Sequence, residues 1–217
     1  MPSTTSHIRL IFTDEIPPVA FEGFLGSVSS PGLDLVVERR PQSGPFAGLD
    51  WLVPTGLILF IGQGYFNGFL SEMGKEHYAV LKDNLKALRD SCASFAVRLI
   101  GARRKAPGDQ PYSLFYSIYF EDHTGRRFKF LVPNGEVGDP DAEQAMDAFG
   151  DFLAAVHSGE LDADQKAMLA DAPAFGANVL LAFNLRTGRI EPINPVTRAF
   201  GLPISHSEGR SLDPPFS

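Results

Sequence analysis

Three titratable side chains lie close together in the middle of the chain. Glu72 and Glu76 are one helical turn apart, and His77 follows directly. On a helix the two carboxylates share a face, where carboxylates and an imidazole can transfer protons or bind a metal ion. Lys75 and Lys82 are near them in sequence, so ordinary surface ion pairing explains the same residues. An enzyme with a site at Glu72, Glu76 and His77 is therefore the last of three functional hypotheses.

A second group of residues is cationic and lies in the second half of the chain. Six residues from two neighbouring segments form the candidate ligand or partner surface: Arg103, Arg104, Lys105, Arg126, Arg127 and Lys129. Cations on adjacent strands attract anionic groups, and this predicts a basic surface that holds an anionic ligand. Residues 134–171 are strongly acidic, so two solvated faces that attract each other explain the same charges.

The stretch of residues 51–71 carries no charged side chain. Its length matches the roughly 20 apolar residues that a membrane-spanning helix needs, and Gly64 and Gly68 have the spacing of a helix-packing motif. Pro54 and Gln63 favour a buried segment of a globular domain, either a central helix or a strand, turn and helix. Membrane association or insertion through residues 51–71 is kept as the alternative function.

The same stretch resembles a nucleotide-binding turn only in part. An apolar run at residues 57–61 precedes glycines in the arrangement G-x-G-x-x-x-G, and glycines between a strand and a helix let a pyrophosphate approach the backbone. The spacing departs from the dinucleotide fingerprint, and Tyr65 and Phe66 would crowd the phosphates. We therefore predict no cofactor.

Histidine and cysteine give no pattern for metal binding or nucleophilic catalysis. The five histidines fall in five different predicted elements, and no H-E-x-x-H or G-x-S-x-G motif is present. Cys92 lies on the apolar stripe of a predicted helix, which is typical of a small buried side chain. His157 lies near a predicted helix C-terminus, where the helix dipole favours a charged imidazole. We predict no metal site and no catalytic residue.

Composition is that of a soluble globular protein. Of the 217 residues, 44% are hydrophobic and 21% are charged, which allows a core to form. A single cysteine allows no intramolecular disulfide and the first residues lack a secretory-signal pattern, so a cytoplasmic location is the default. A net charge of −7 and the absence of zinc-finger, RNP or KH signatures disfavour general nucleic-acid binding.

Local signals predict several strands and two hairpins. Strands are expected at residues 7–12, 33–39, 95–103, 114–120, 126–132, 178–183 and 189–193. Gly125 provides the positive φ that the first hairpin loop requires. Pro192 places the last strand at a sheet edge, because proline cannot donate a ladder hydrogen bond.

Helices are predicted from caps and from apolar periodicity. Asp139 caps a helix that ends at Gly159, and Asp162 caps a shorter one. The uncharged stretch is interpreted as a helix that kinks at Gly74 and continues as an amphipathic helix to Cys92.

The elements together predict an α+β fold. We expect a mostly antiparallel sheet of hairpins, packed against a central long or kinked helix and a second amphipathic helix. Residues 1–193 are expected to form one domain, followed by a proline-containing extended or disordered tail at 194–217. The favoured function is that of a non-catalytic binding or interaction protein with an accessory, immunity-type or adaptor role and a protein partner.

Overall fold

A computed structural model describes residues 6–14, 16–41, 56–69, 75–100, 111–113 and 115–194. The described strands are β1 (Ile8–Thr13), β2 (Leu35–Arg40), β3 (Leu57–Ile61), β4 (Tyr116–Glu121), β5 (Arg127–Phe130), β6 (Ala174–Phe175), β7 (Asn178–Asn184) and β8 (Arg189–Pro192). The described helices are α1 (Glu22–Val28), α2 (Lys75–Ile100), α3 (Pro140–Ser158) and α4 (Ala163–Ala170). A 3₁₀ turn at Pro18–Ala20 and a π-helical turn at Tyr65–Phe69 complete the described elements.

All eight described strands belong to one mixed sheet. Its order is β2-β1-β3-β4-β5-β7-β6, and β8 also pairs with β7. Three pairs are parallel, namely β1 with β2, β3 with β4, and β5 with β7. The other pairs are antiparallel. The sheet therefore combines hairpins with helical crossovers.

The α+β class is confirmed, whereas the expectation of a mostly antiparallel sheet of hairpins is only partly right, because the sheet is mixed. In every parallel pair, at least one helix separates the two strands along the chain. Such a helix returns the chain to the end of the sheet where it started, so the next strand runs in the same direction. The sequence patterns identified hairpins well, yet they missed these crossovers.

The central stretch is also different from its interpretation as a helix. Residues 57–61 form β3, which lies between β1 and β4 and is buried at alternate positions. The helix begins at Lys75, so the alternative of a strand, turn and helix is confirmed for the described residues. The fully buried positions of β3 face the main core, which accounts for their apolar side chains.

Helix α2 is longer than predicted. It continues to Ile100, whereas a strand was expected at residues 95–103. The periodicity of a short apolar run does not distinguish a buried strand from a buried helix. Here the preceding amphipathic helix continues through the run. The strand prediction is wrong for the described residues 95–100.

The main core lies between the helices and one face of the sheet. Inward-facing strand residues include Leu10, Leu59, Ile118 and Phe130, all of which are fully buried. The stripes of α2 and α3 cover them with these buried side chains: Leu81, Leu85, Leu88, Met146, Phe149 and Leu153. The ring of Phe130 stacks on Phe149 with centroids 4.2 Å apart. Helix α3 is thereby fixed to β5.

Predicted caps and turns agree with the structure. The Asp139 carboxylate accepts from the backbone N–H groups of residues 141 and 142 at the start of α3, and Gly159 ends that helix with φ 75°. Asp162 caps α4 through the N–H of residue 165. Gly125 has φ 79° in the β4–β5 hairpin. Pro192 lies in β8, which pairs with β7 among the described strands.

Candidate functional site

The sheet has two faces, and the described helices pack on one of them. Alternate strand residues point to the other side, which we call the second face. A cavity of about 490 Å³ lies there, and its lining includes Arg9, Ile58, Phe60, Tyr119, Glu121 and Arg127. Strands hold these side chains rigidly, so the cavity is part of the sheet architecture rather than of a loop.

Strand register aligns four second-face residues in one row. Arg9 of β1 is opposite Phe60 of β3, Phe60 is beside Tyr119 of β4, and Tyr119 is opposite Lys129 of β5. Side chains of directly paired residues lie close enough to interact. The row therefore places two aromatic rings between two cations.

The cavity has one carboxylate and three guanidinium groups among its described lining residues. Glu121 is largely buried, and its Oε1 accepts from Arg127 Nε at 3.0 Å. Arg40 donates to Glu38 at 3.1 Å near the edge of the sheet. Arg9 forms no salt bridge with any described residue. The described lining residues therefore carry more positive than negative formal charge.

Two buried polar atoms in the lining have no hydrogen-bond partner among the described residues. They are the Nε of Arg9 and the Oγ of Ser6, and Ser6 is 2% exposed. Leaving such a group unsatisfied costs about 1 to 3 kcal/mol, and buried polar groups in proteins are nearly always bonded to protein or to water. Arg9 and Ser6 therefore each carry an unsatisfied polar atom beside the cavity that they line.

Lys129 lies at the end of the row and is 1% exposed. Its Nζ is 5.5 Å from the centroid of the Tyr119 ring, within the range of a cation–π contact. Burial lowers the pKa of Lys129 to about 7, so the ammonium and the neutral amine are both populated at neutral pH. Burial also raises the pKa of Tyr119 to about 12, so its phenol stays protonated.

The predicted basic surface is divided by the structure. Arg127 lines the cavity, and Lys129 is next to its Tyr119 wall. Arg126 points elsewhere: its Nη1 donates to Leu169 O at 2.6 Å and its Nη2 to Ala172 O at 2.9 Å. Arg126 therefore holds the end of α4. The predicted residues 103–105, which are Arg103, Arg104 and Lys105, lie outside the described residues.

The predicted polar cluster does not converge on one surface. Glu76 is exposed, whereas His77 is buried against the core. The Nε2 of His77 is 2.9 Å from Val28 O, which can only accept, so Nε2 carries the proton. Nδ1 then accepts from the Tyr65 hydroxyl at 3.0 Å. His77 links α2 to α1, and Glu72 lies outside the described residues.

Cys92 is buried in the main core, as predicted for a small apolar side chain. Burial raises the pKa of its thiol to about 12, so the nucleophilic thiolate is not populated at neutral pH. Across the described ranges, no group of three or more His, Cys, Asp or Glu side chains is arranged to hold a metal ion.

Sequence reasoning missed the residues that give the cavity its character. Arg9 interrupts an otherwise apolar strand, and a cation in such a strand was the available signal. The interpretation of residues 57–61 as a helix gave no reason to place Phe60 and Ile58 on the same face of a sheet as Tyr119. Ser6 carries no local signal at all.

Comparisons with known proteins give no relative. No protein-family model, no curated protein and no solved structure matches the chain. In the part of the chain that the structure describes, no helix has the length and apolar character needed to cross a bilayer. The class defined by the fold and the cavity is that of an α+β protein with a mixed sheet and a positively charged second face.

Proposed function

We propose that this chain is a non-catalytic binding protein and that its ligand occupies the cavity on the second face. The carrying observation is a cavity of about 490 Å³ whose lining includes Arg9 and Ser6, two residues that each have a buried polar atom without a partner among the described residues. Small-ligand sites occupy roughly 300 to 1,000 Å³ and combine apolar walls with a few polar groups. The walls formed by Ile11, Ile58 and Phe60 fit that description.

Binding rather than catalysis is supported by the chemistry of the lining. The described lining residues include no histidine or cysteine, and the carboxylate of Glu121 is bonded to Arg127. A general base needs a free lone pair directed at the substrate, and one oxygen of this carboxylate already accepts from a guanidinium. The polar groups that remain can donate hydrogen bonds to a ligand, and those of Ser6, Tyr119 and Asn178 can also accept, so they can orient a ligand.

A protein partner can use the same cavity. A side chain or chain terminus of a partner has the size of a small ligand, and a rigid cavity gives such an anchor residue much of the binding energy of an interface. The proposal therefore includes the accessory, immunity-type or adaptor role, with the partner presenting one group to the second face.

The test is retention of ligands from a lysate of the native host on three immobilised baits. The wild-type chain is compared with Ile58→Trp, which fills the cavity, and with Val37→Trp. Val37 is 45% exposed and its register partner is the core residue Leu10, so this control adds the same bulk on the opposite face. Eluates are analysed for small molecules and for proteins by mass spectrometry.

We expect the same species on the wild-type and Val37→Trp baits and their loss from Ile58→Trp. Equal retention on all three baits would contradict the proposal, as would no retention above bare resin. Circular dichroism of each bait verifies that the tryptophan variants are folded, which a strand position favours because aromatic residues have high β-propensity.

A further inference from the structure

We propose that the cavity recognises an anionic oxygen group, a carboxylate or a phosphate, through Arg9 and Ser6, with an attached planar group lying against Phe60. This inference rests on the proposed function and specifies the chemical class of its ligand. It is carried by the geometry of the second face, where two residues with unpartnered donor groups and an aromatic side chain line one cavity.

Arg9 is the principal contact for the anion. Its Nε is buried without a partner, and the one carboxylate of the described lining, Glu121, is bonded to Arg127. A guanidinium presents a planar fork of N–H donors that matches the two oxygens of a carboxylate or two oxygens of a phosphate. A ligand carboxylate or phosphate would give Arg9 the charged partner that the described chain does not provide.

Ser6 adds a second donor from the chain just before β1. Its hydroxyl is buried and unpartnered, and a hydroxyl can donate one hydrogen bond to an anionic oxygen. A neutral carbonyl oxygen could accept from the same donors, but an anionic oxygen accepts from them in stronger, charge-assisted bonds. Three arginines against one glutamate in the described lining favour the same sign of ligand.

Phe60 indicates which kind of group carries the anion in the ligand. Its side chain lies beside Arg9 in the cross-strand row, and Ile58 is the next residue on the same face. An aromatic ring with an aliphatic neighbour is a flat apolar surface on which a planar group can stack. The cavity therefore fits a short planar molecule with one anionic end better than a long flexible chain.

The test is calorimetric titration of the full chain with three probes: benzoate, phenyl phosphate and benzamide. Benzamide has the shape of benzoate without its charge. Each probe is titrated into wild type, Arg9→Gln, Ser6→Ala and the control Arg186→Gln, whose side chain is exposed in the β7–β8 turn. An NMR spectrum of the backbone amides, recorded for every variant, verifies that the sheet is intact.

We expect benzoate or phenyl phosphate to bind wild type at least tenfold more tightly than benzamide. Arg9→Gln should weaken anion binding about tenfold or more, and Ser6→Ala about threefold, since charge-assisted hydrogen bonds contribute more than neutral ones. Arg186→Gln should bind as wild type does. Preference for benzoate identifies a carboxylate ligand, and preference for phenyl phosphate identifies a phosphate; either result supports the proposal.

Equal affinity for benzamide and benzoate, unchanged by Arg9→Gln, overturns the anion proposal and leaves the cavity as a binding site. Absence of binding by all three probes also overturns it, while the lysate comparison with Ile58→Trp then decides the proposed function separately. If Arg9→Gln does not fold, Ser6→Ala and the contrast between the probes still support or overturn the anion proposal.

Discussion

The imidazole of His157 stacks on the ring of Phe66, with centroids 3.3 Å apart and planes 5° from parallel. Neither ring nitrogen has a hydrogen-bond partner among the described residues. Burial lowers the pKa of His157 to about 4; the charge of Asp122 opposes this shift and that of His123 adds to it. The expectation that the helix dipole favours a charged His157 is therefore outweighed by desolvation. The stack joins the end of α3 to the π-helical turn after β3.

This stack predicts that the protein loses stability as pH falls from about 6.5 to about 4. The unfolded chain binds a proton at His157 near pH 6.5, whereas the folded chain resists protonation down to about 4. The free energy of unfolding measured in urea should therefore decrease through this window. Substituting His157→Phe, which keeps a flat ring on Phe66, should flatten the decrease.

The comparison variant is His123→Gln: His123 is exposed in the β4–β5 turn, and removing its charge takes away only the smallest contribution to the lowered pKa of His157, so most of the decrease should remain. Carboxylates titrate in the same window in all three proteins, so the quantity of interest is the difference between variant and wild type. A slope in His157→Phe equal to that of the wild type would show that His157 is not protonated on unfolding.

The buried Lys129 should affect how stability depends on pH above neutrality. Burial holds the folded pKa near 7, while the unfolded chain keeps its proton up to about 10.5. The unfolded state thus binds more protons between these values, and stability relative to Lys129→Met should rise with pH, with a slope of up to about 1.4 kcal/mol per pH unit. Urea unfolding of both proteins at several pH values between 7 and 10 measures this slope. Parallel profiles would mean that Lys129 remains charged in the folded protein.

The contacts of Arg126 indicate a structural role, whereas the sequence placed it on a ligand or partner surface. Its two Nη groups donate to Leu169 O and Ala172 O at the end of α4. Arg126→Gln should therefore lower the free energy of unfolding by about 1 to 3 kcal/mol, because it leaves these carbonyls without a charged donor. The exposed Arg186→Gln serves as the matched control and should change stability by less than about 0.5 kcal/mol. Equal effects of the two substitutions would contradict this role.

The sequence was sufficient to predict those elements that are determined by residues close together in the chain. The β4–β5 hairpin and helix α3 were predicted with their caps, because Gly125, Asp139 and Gly159 act on backbone groups only a few residues away. Side-chain alternation in β5 also predicted correctly that Phe128 and Phe130 face the core while Arg127 and Lys129 face the other side. These signals need no knowledge of the rest of the chain.

Strand β3 and the cavity could not be predicted in this way, because they depend on pairing between segments that are distant in the chain. Residues 57–61 carry no period that identifies a strand, and their state is decided by β1 and β4, which flank them in the sheet. The cavity likewise joins Ser6 and Arg9 to Tyr119 and Asn178, across more than half the length of the chain. No local spacing rule connects such residues, because strand order in the sheet brings them together.

The most direct test of the central claim is a titration of uniformly ¹⁵N-labelled protein with benzoate, followed by amide chemical shifts. The cavity predicts that the largest shifts occur in β1, β3 and β4 around Arg9, Phe60 and Tyr119, and that they disappear in Ile58→Trp. Amides of the α2 segment around His77, on the opposite side of the sheet, should not move. Shifts centred on α2, or shifts that persist unchanged in Ile58→Trp, would contradict the assignment of the second-face cavity as the binding site.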